Sequence, residues 1–212
     1  AVAPVASGGA GWGGVLLMRD NVTSEPGEVA AVTASAWADA ELPPIIAIDQ
    51  EGGEVVRLSF DPNPGADELR SLPVSATAQS FAARGQLLAS VGVNVNFGIV
   101  ADVTADPGSF IYSRTLGNSG AESSERVAAA VTAEQGSVAS TLKHFPGHGR
   151  SSGDSHAGIP VSGVGREEWR ATDATPFSAG IDAGARFVMF GHLMFPAVDA
   201  VPASLSTTWH DV

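Results

Sequence analysis

The chain has 212 residues, of which 44% are hydrophobic and 16% charged, so it can bury a core and is not disordered by composition. Its net charge is −12 and its 11 basic residues are scattered, which excludes the clustered positive charge of a nucleic-acid-binding protein. The lack of cysteine excludes disulfides and cysteine-ligated metal centres, and no apolar run reaches the roughly 18 residues of a membrane helix.

Five short apolar runs that end in polar residues predict strands of a parallel sheet, each buried on both faces. In chain order they are residues 14–18, 45–49, 93–97 with a continuation to 102, 140–144 and 186–192.

The stretches between these strands favour helices, which are predicted over residues 28–40, 76–91, 121–138 and 166–183. In the last of them Pro176 should begin a new turn or kink the helix. Because strands and helices alternate, the pattern predicts an α/β fold around a parallel sheet.

Polar residues follow the predicted strands at positions where an active site would form. Asp49, Asp102, His144 and His192 all fall at carboxyl ends of strands. In a (β/α)8 barrel these ends make up the active-site face. A doubly wound sheet also binds ligands there, but the sequence has no GxGxxG or GxxxxGK[ST] turn for a nucleotide. A TIM-type barrel is therefore the favoured topology.

Six segments resemble glycoside hydrolase family 3, specifically its NagZ-like β-N-acetylglucosaminidase branch. They are IAIDQEGGEVVRL (46–58), GVNVNFGIVADV (92–103), YSRTLG (112–117), TLKHFPGHGRSSGDSHAGIP (141–160), FVMFGHLMFPAVD (187–199) and PASLS (202–206). Their order follows that of the family and they span nearly the whole chain. The resemblance implies the N-terminal barrel domain of a sugar-cleaving enzyme.

The resemblance implies a sugar-binding role for five residues, namely Asp49, Arg57, Arg114, Lys143 and His144. A carboxylate accepts hydrogen bonds from two sugar hydroxyls, and cations suit hydroxyl and acetamido oxygens. The alternative is structural: Asp49 would cap the turn after its strand, and the two arginines would form salt bridges within the protein.

The resemblance also implies that His156 is the general acid/base and that Asp154 orients it. Most retaining glycosidases use two carboxyl groups instead. An imidazole with a pKa near neutrality can protonate the leaving oxygen and later accept a proton from water. Glycines surround this pair, so a loop that closes over bound substrate is expected. The alternative is a solvated loop with no chemical role.

A metal site is the weaker interpretation of the other histidines. His144 and His148 have the i, i+4 spacing of a zinc pair, but the proline and glycine between them disfavour a helix. With Asp49 and His192 at strand ends, a metal-dependent hydrolase stays open as an alternative, although no metal or organic cofactor is expected. We expect His148 to brace its loop and His192 to lie either near substrate or in the core.

Two features depart from the family pattern. Glu54 stands where arginine is usual, which should alter a salt bridge at the pocket rim. The nucleophile, an aspartate on a strand beyond the PASLS segment, is not found, since neither Asp199 nor Asp211 matches it. The first barrel strand is also missing. Residues 1–212 are thus expected to form one partial barrel domain with about five of eight strands, the others coming from a longer chain or another chain.

The resulting hypothesis is retaining exo-hydrolysis of terminal β-linked N-acetylglucosamine from peptidoglycan- or chitin-derived sugars. Without its nucleophile the 212-residue chain should show no turnover. Phosphorolysis and a non-catalytic sugar-binding module are the alternatives. The N-terminal residues lack the basic and apolar regions of an intact signal peptide, but a processed signal would leave the same sequence. Both the cytoplasm and the cell envelope therefore stay open.

Overall fold

The computed structural model describes residues 13–18, 22–37, 43–151, 153 and 158–212. Within them five parallel strands pair in chain order and form a curled half-barrel with helices, as predicted. The strands are β1 (Gly14–Leu17), β2 (Ile45–Ile48), β3 (Val95–Val100), β4 (Ala139–Phe145) and β5 (Phe187–Phe190). No helix in this part of the chain is long and apolar enough to cross a membrane.

Helices connect the strands and cover the outside of the sheet. They are α1 (Pro26–Trp37), α2 (Ala66–Leu69), α3 (Val74–Ser90), α4 (Gly120–Glu134), α5 (Arg166–Ala171), α6 (Ala174–Asp182) and α7 (Thr207–His210). Two 3-10 helices span Tyr112–Arg114 and Ala203–Leu205. Helix α4 begins where Ser119 accepts a hydrogen bond from the Glu122 N–H, a normal N-cap.

The single helix predicted over residues 166–183 is wrong, because the structure divides it. Helix α5 ends at Ala171, and α6 begins at Ala174 after Asp173. Pro176 lies in the first turn of α6, where its missing N–H breaks no helical hydrogen bond. The expected new turn at this proline is therefore confirmed.

Three clusters of buried side chains hold the layers together. One lies between β3, β4 and helices α3, α4 and α6, and includes Phe81, Leu142 and Phe177. A second packs β1 and β2 against α1 and α3. The third is aromatic and joins Trp169 to Trp209 at a ring-centroid distance of 4.8 Å.

The two outer strands are not buried on both faces, contrary to the prediction. Ile46 and Ile48 of β2 are fully buried, whereas Phe187 of β5 is 39% exposed and Leu16 of β1 is 39% exposed. Both strands stand at edges of the five-stranded sheet, where a single neighbouring strand covers them.

Candidate active site

The carboxyl ends of β2, β3 and β4 bring the five predicted sugar-binding residues into one charged network. Asp49 directly follows β2, and Lys143 and His144 lie near the carboxyl end of β4. Arg114 ends the 3-10 helix after β3, and Arg57 lies in the turn after β2. All of them contact another member of the network, directly or through Glu51.

Lys143 is the buried centre of this network. Its Nζ lies 2.9 Å from Oδ1 of Asp49 and 2.5 Å from Oε1 of Glu51, and its side chain is only 2% exposed. A buried ammonium group is tolerated where carboxylates pair with it closely. The two acids therefore fix the position of Lys143.

Glu51 also binds Arg114, which was expected to contact sugar or to form a structural salt bridge. Arg114 donates from Nε to Oε2 at 2.9 Å and from Nη2 to Oε1 at 2.8 Å. Burial alone would raise the pKa of Glu51, but Lys143 and Arg114 together hold it below its usual value. The Glu51 carboxylate thus stays ionised, a role that was not predicted from the sequence.

Asp102 orients His144 by hydrogen bonds to its ring and its main chain. Its Oδ2 lies 2.7 Å from Nδ1 of His144, and its Oδ1 accepts the His148 N–H at 2.6 Å. Full burial would raise the pKa of Asp102, but His144 and the His148 amide lower it below its usual range. In the neutral form of the ring, an ionised Asp102 holds the proton of His144 on Nδ1, and Nε2 is then the acceptor. This Nε2 lies 3.5 Å from Nη2 of Arg114.

Asp49, Arg57 and His144 are the partly exposed members of the network, at 17–19% of their side-chain area. Nη2 of Arg57 lies 3.9 Å from Oδ2 of Asp49, beyond hydrogen-bond distance, and the buried Arg57 Nε has no partner among the described residues. Together they offer a carboxylate acceptor, a guanidinium donor and an imidazole. Such a set suits a ligand with many hydroxyl groups.

Glu54, which stands where arginine is usual in the family, accepts a hydrogen bond from Ser113 Oγ. Burial would lower the pKa of Arg114, but Glu51 chiefly, then Asp102 and Glu54, raise it. Glu54 therefore adds negative charge near Arg114 and joins the turn after β2 to the 3-10 helix.

The remaining histidines do not form a metal centre within the described part of the chain. The segment after β4 is a turn and not a helix, so His144 and His148 lack the geometry of a helical zinc pair. His148 braces its loop as expected, with Nδ1 3.0 Å from Ser151 Oγ. His192 is exposed and hydrogen-bonded to Ser204, so of its two expected positions the one in the core is excluded and the one near substrate stays a prediction.

The predicted pair Asp154 and His156 lies outside the described residues. The segment before it is held in place: a Cβ on Gly149 would stand 1.8 Å from the Val103 carbonyl oxygen. Arg150 pairs with Glu168 at 2.6 Å and with Asp173 at 3.1 Å. A cavity of about 940 Å³ lies beside this segment, with Phe110 and Asp173 in its wall.

Residues 9–212 match the Glycosyl hydrolase family 3 N terminal domain. The chain belongs to glycosyl hydrolase family 3. A beta-hexosaminidase of Stenotrophomonas maltophilia is 34% identical over 211 residues, which cover 92% of this chain and 61% of that protein. A beta-hexosaminidase A of Pseudoalteromonas piscicida is 34% identical over 202 residues, 88% of this chain and 34% of its own length.

Solved structures of family 3 proteins share the fold. A beta-N-acetylglucosaminidase from a Paenibacillus species superposes with a TM-score of 0.88 at 33% identity, over 93% of this chain and 39% of that chain. NagZ from Neisseria gonorrhoeae gives a TM-score of 0.86 at 30% identity, over 93% of this chain and 60% of that chain. This family 3 chain thus spans about three fifths of the length of its Stenotrophomonas relative.

Proposed function

We propose that the gene product carrying this chain hydrolyses terminal β-linked N-acetylglucosamine residues from peptidoglycan- or chitin-derived sugars. The observation that carries the proposal is the network of Asp49, Glu51, Lys143, Arg114 and His144 at the carboxyl ends of the strands. Relatives called beta-hexosaminidase and beta-N-acetylglucosaminidase support the choice of substrate.

In this proposal the partly exposed groups hold the sugar. Oδ2 of Asp49 accepts from hydroxyls, Arg57 donates to hydroxyl or acetamido oxygens, and Nε2 of His144 accepts. Arg114 and Lys143 donate as well, although they are more deeply buried. Glu51 and Asp102 do not need to touch the ligand, because they fix Lys143, Arg114 and His144 in place.

His156 is proposed as the general acid/base and Asp154 as the group that orients it. The support is their position in the DSH segment that follows KHFPGHG. The acid form protonates the glycosidic oxygen as the bond breaks, and the base form then removes a proton from the attacking water. No metal or organic cofactor takes part.

Residues 1–212 are proposed to be one part of a barrel domain. The attacking carboxylate and the remaining strands would come from beyond them, in a longer chain or another chain, in keeping with the length of the relatives. Asp199 and Asp211 are not proposed for this role. Oδ2 of Asp199 accepts a hydrogen bond from Ser206 Oγ at 2.6 Å, and Asp211 follows α7.

The test is turnover of an aryl β-N-acetylglucosaminide by the gene product and by three of its variants. Asp49→Asn and His156→Ala should each lower kcat/KM by about 100-fold or more. Asp182→Asn, an exposed change at the end of α6, should leave it unchanged. Free sugar as the product supports hydrolysis, whereas sugar 1-phosphate in phosphate buffer would show phosphorolysis. Sugar binding without turnover, unaffected by His156→Ala, would show a non-catalytic module.

A further inference from the structure

Gln50 lies between Asp49 and Glu51 and is completely buried. Its Oε1 accepts the main-chain N–H groups of Arg57 at 2.8 Å and of Leu58 at 2.9 Å. The side chain therefore closes the turn after β2. The residues on both sides of Gln50, and Arg57 across the turn, belong to the proposed sugar site.

Asn96 of β3 holds the main chain of Gln50. The pairing of β2 with β3 ends at Ile48 and Asn96. Beyond that point the Asn96 side chain, and not the main chain of β3, forms the hydrogen bonds to the main chain of Gln50. Its Oδ1 accepts the Gln50 N–H at 3.1 Å, and its Nδ2 donates to the Gln50 carbonyl at 3.1 Å. The direction of this amide decides whether both bonds form.

Glu134, the last residue of α4, sets that direction. Its Oε1 accepts from Nδ2 of Asn96 at 2.6 Å, and its Oε2 accepts from Oγ of Ser140 at 2.9 Å. The residue is fully buried. Because an acceptor faces Asn96 here, the amide nitrogen has to point towards Glu134 and the amide oxygen towards the Gln50 N–H.

We infer that Glu134 is a positioning residue for the sugar site and acts through Asn96 and Gln50 on Asp49 and Arg57. The identity of the sugar rests on the proposed function. The effect of Glu134 on the turn after β2 rests only on the hydrogen bonds that link Glu134, Asn96 and Gln50. The charged group that acts on Glu134 is Arg84 of α3, itself paired with Asp61 at 2.8 Å. No member of this chain of contacts needs to touch substrate.

The test compares variants at Glu134 with a matched control in the gene product that carries the chain. Glu134→Met fills the same space but removes the acceptor. Ser140→Ala removes the other hydrogen bond of the same carboxylate and leaves Asn96 untouched. Glu134→Gln keeps an acceptor for Asn96. Two quantities are measured: the affinity for N-acetylglucosamine and the hydrogen-exchange protection of the Gln50, Arg57 and Leu58 amides.

Glu134→Met should lower the affinity by about three- to tenfold and the protection of these amides by about tenfold. Ser140→Ala should change neither, and Glu134→Gln should restore both to the level of the unmodified protein. If Glu134→Met does not fold, Glu134→Asp serves in its place, because its shorter side chain cannot reach both partners.

Equal affinity and equal protection in Glu134→Met and Ser140→Ala would overturn the inference. If the unmodified protein binds no N-acetylglucosamine, the proposed function fails, and the exchange measurement alone decides whether Glu134 positions the turn. If the protein binds the sugar and Glu134→Met changes neither quantity, only the positioning role fails.

Discussion

Arg114 and Glu51 share two nearly parallel hydrogen bonds, of 2.9 and 2.8 Å, although both side chains are at least nine-tenths buried. Lys143 binds the same carboxylate and also Asp49, so two acids compensate two cations in a space that is almost closed to water. The pair therefore matters for stability as well as for the shape of the site.

Glu51→Gln should lower the free energy of unfolding by about 3 kcal/mol, because two buried cations lose their shared partner. Urea denaturation measures the loss. The control is Glu168→Gln, which breaks the exposed pair with Arg150 and should lower stability by less than about 1 kcal/mol. Similar losses in the two variants would contradict the structural role of Glu51.

Asp102→Asn should move the proton of His144 from Nδ1 to Nε2. The new amide keeps an oxygen for the His148 N–H but turns its NH2 group towards Nδ1, which then has to accept. Nε2 becomes a donor beside Arg114, so affinity for N-acetylglucosamine should fall by about tenfold or more. Nitrogen NMR of the His144 ring reports the tautomer directly. An unchanged tautomer in this variant would show that Asp102 does not control it.

The pH dependence of stability should contain a contribution from Glu134. Burial raises the pKa of this carboxyl from 4.5 to about 7, although the hydrogen bonds from Asn96 and Ser140 lower the pKa in part. Between these values the folded state keeps a proton that the unfolded state releases, so the contribution is fully present below 4.5 and is lost as the pH rises through 7.

Glu134→Gln removes this titration. The stability of the unmodified protein relative to the variant should fall by about 3 kcal/mol between about pH 4 and about pH 8. Glu51 and Asp102, whose lowered pKa values make stability fall in acid, are present in both proteins and cancel in the difference. A difference that is constant with pH would rule out a raised pKa for Glu134.

Gly149→Ala should destabilise the loop after β4. The added methyl group would meet the main chain of Val103 at 1.8 Å, and a main-chain group cannot rotate away. A loss of about 1–3 kcal/mol is expected in urea denaturation. Gly163→Ala, with open space around its Cβ position, is the control and should be neutral. Equal stability of the two variants would contradict the close approach.

The positions of the strands and their polar ends were predictable because they depend on local pattern. Apolar runs that end in Asp49 or His144 indicate both a strand and the edge at which the site forms. The exposure of β1 and β5 was not predictable in this way, since it depends on which strands pair with each edge. The break between α5 and α6 was placed only approximately, because Pro176 fixes a first turn and not the residue where the previous helix ends.

Glu51 could have been found from charge alone. Lys143 and Arg114 were both expected near Asp49, and one carboxylate cannot compensate two buried cations. Glu51, a second acid only two residues from Asp49, was the nearest candidate. Glu134 carried no such signal, because nothing in α4 alone shows that its last side chain reaches Asn96 across the sheet.

The order of strands along the sheet has a consequence for how the molecule is made. Among the described strands, each of β2 to β5 pairs with the strand synthesised just before it. Each of these strands thus leaves the ribosome after the strand with which it pairs, so pairing within the sheet can follow the order of synthesis. The charged network is synthesised in the same direction: Asp49 and Glu51 come first, Arg114 follows, and Lys143 and His144 come last to complete it.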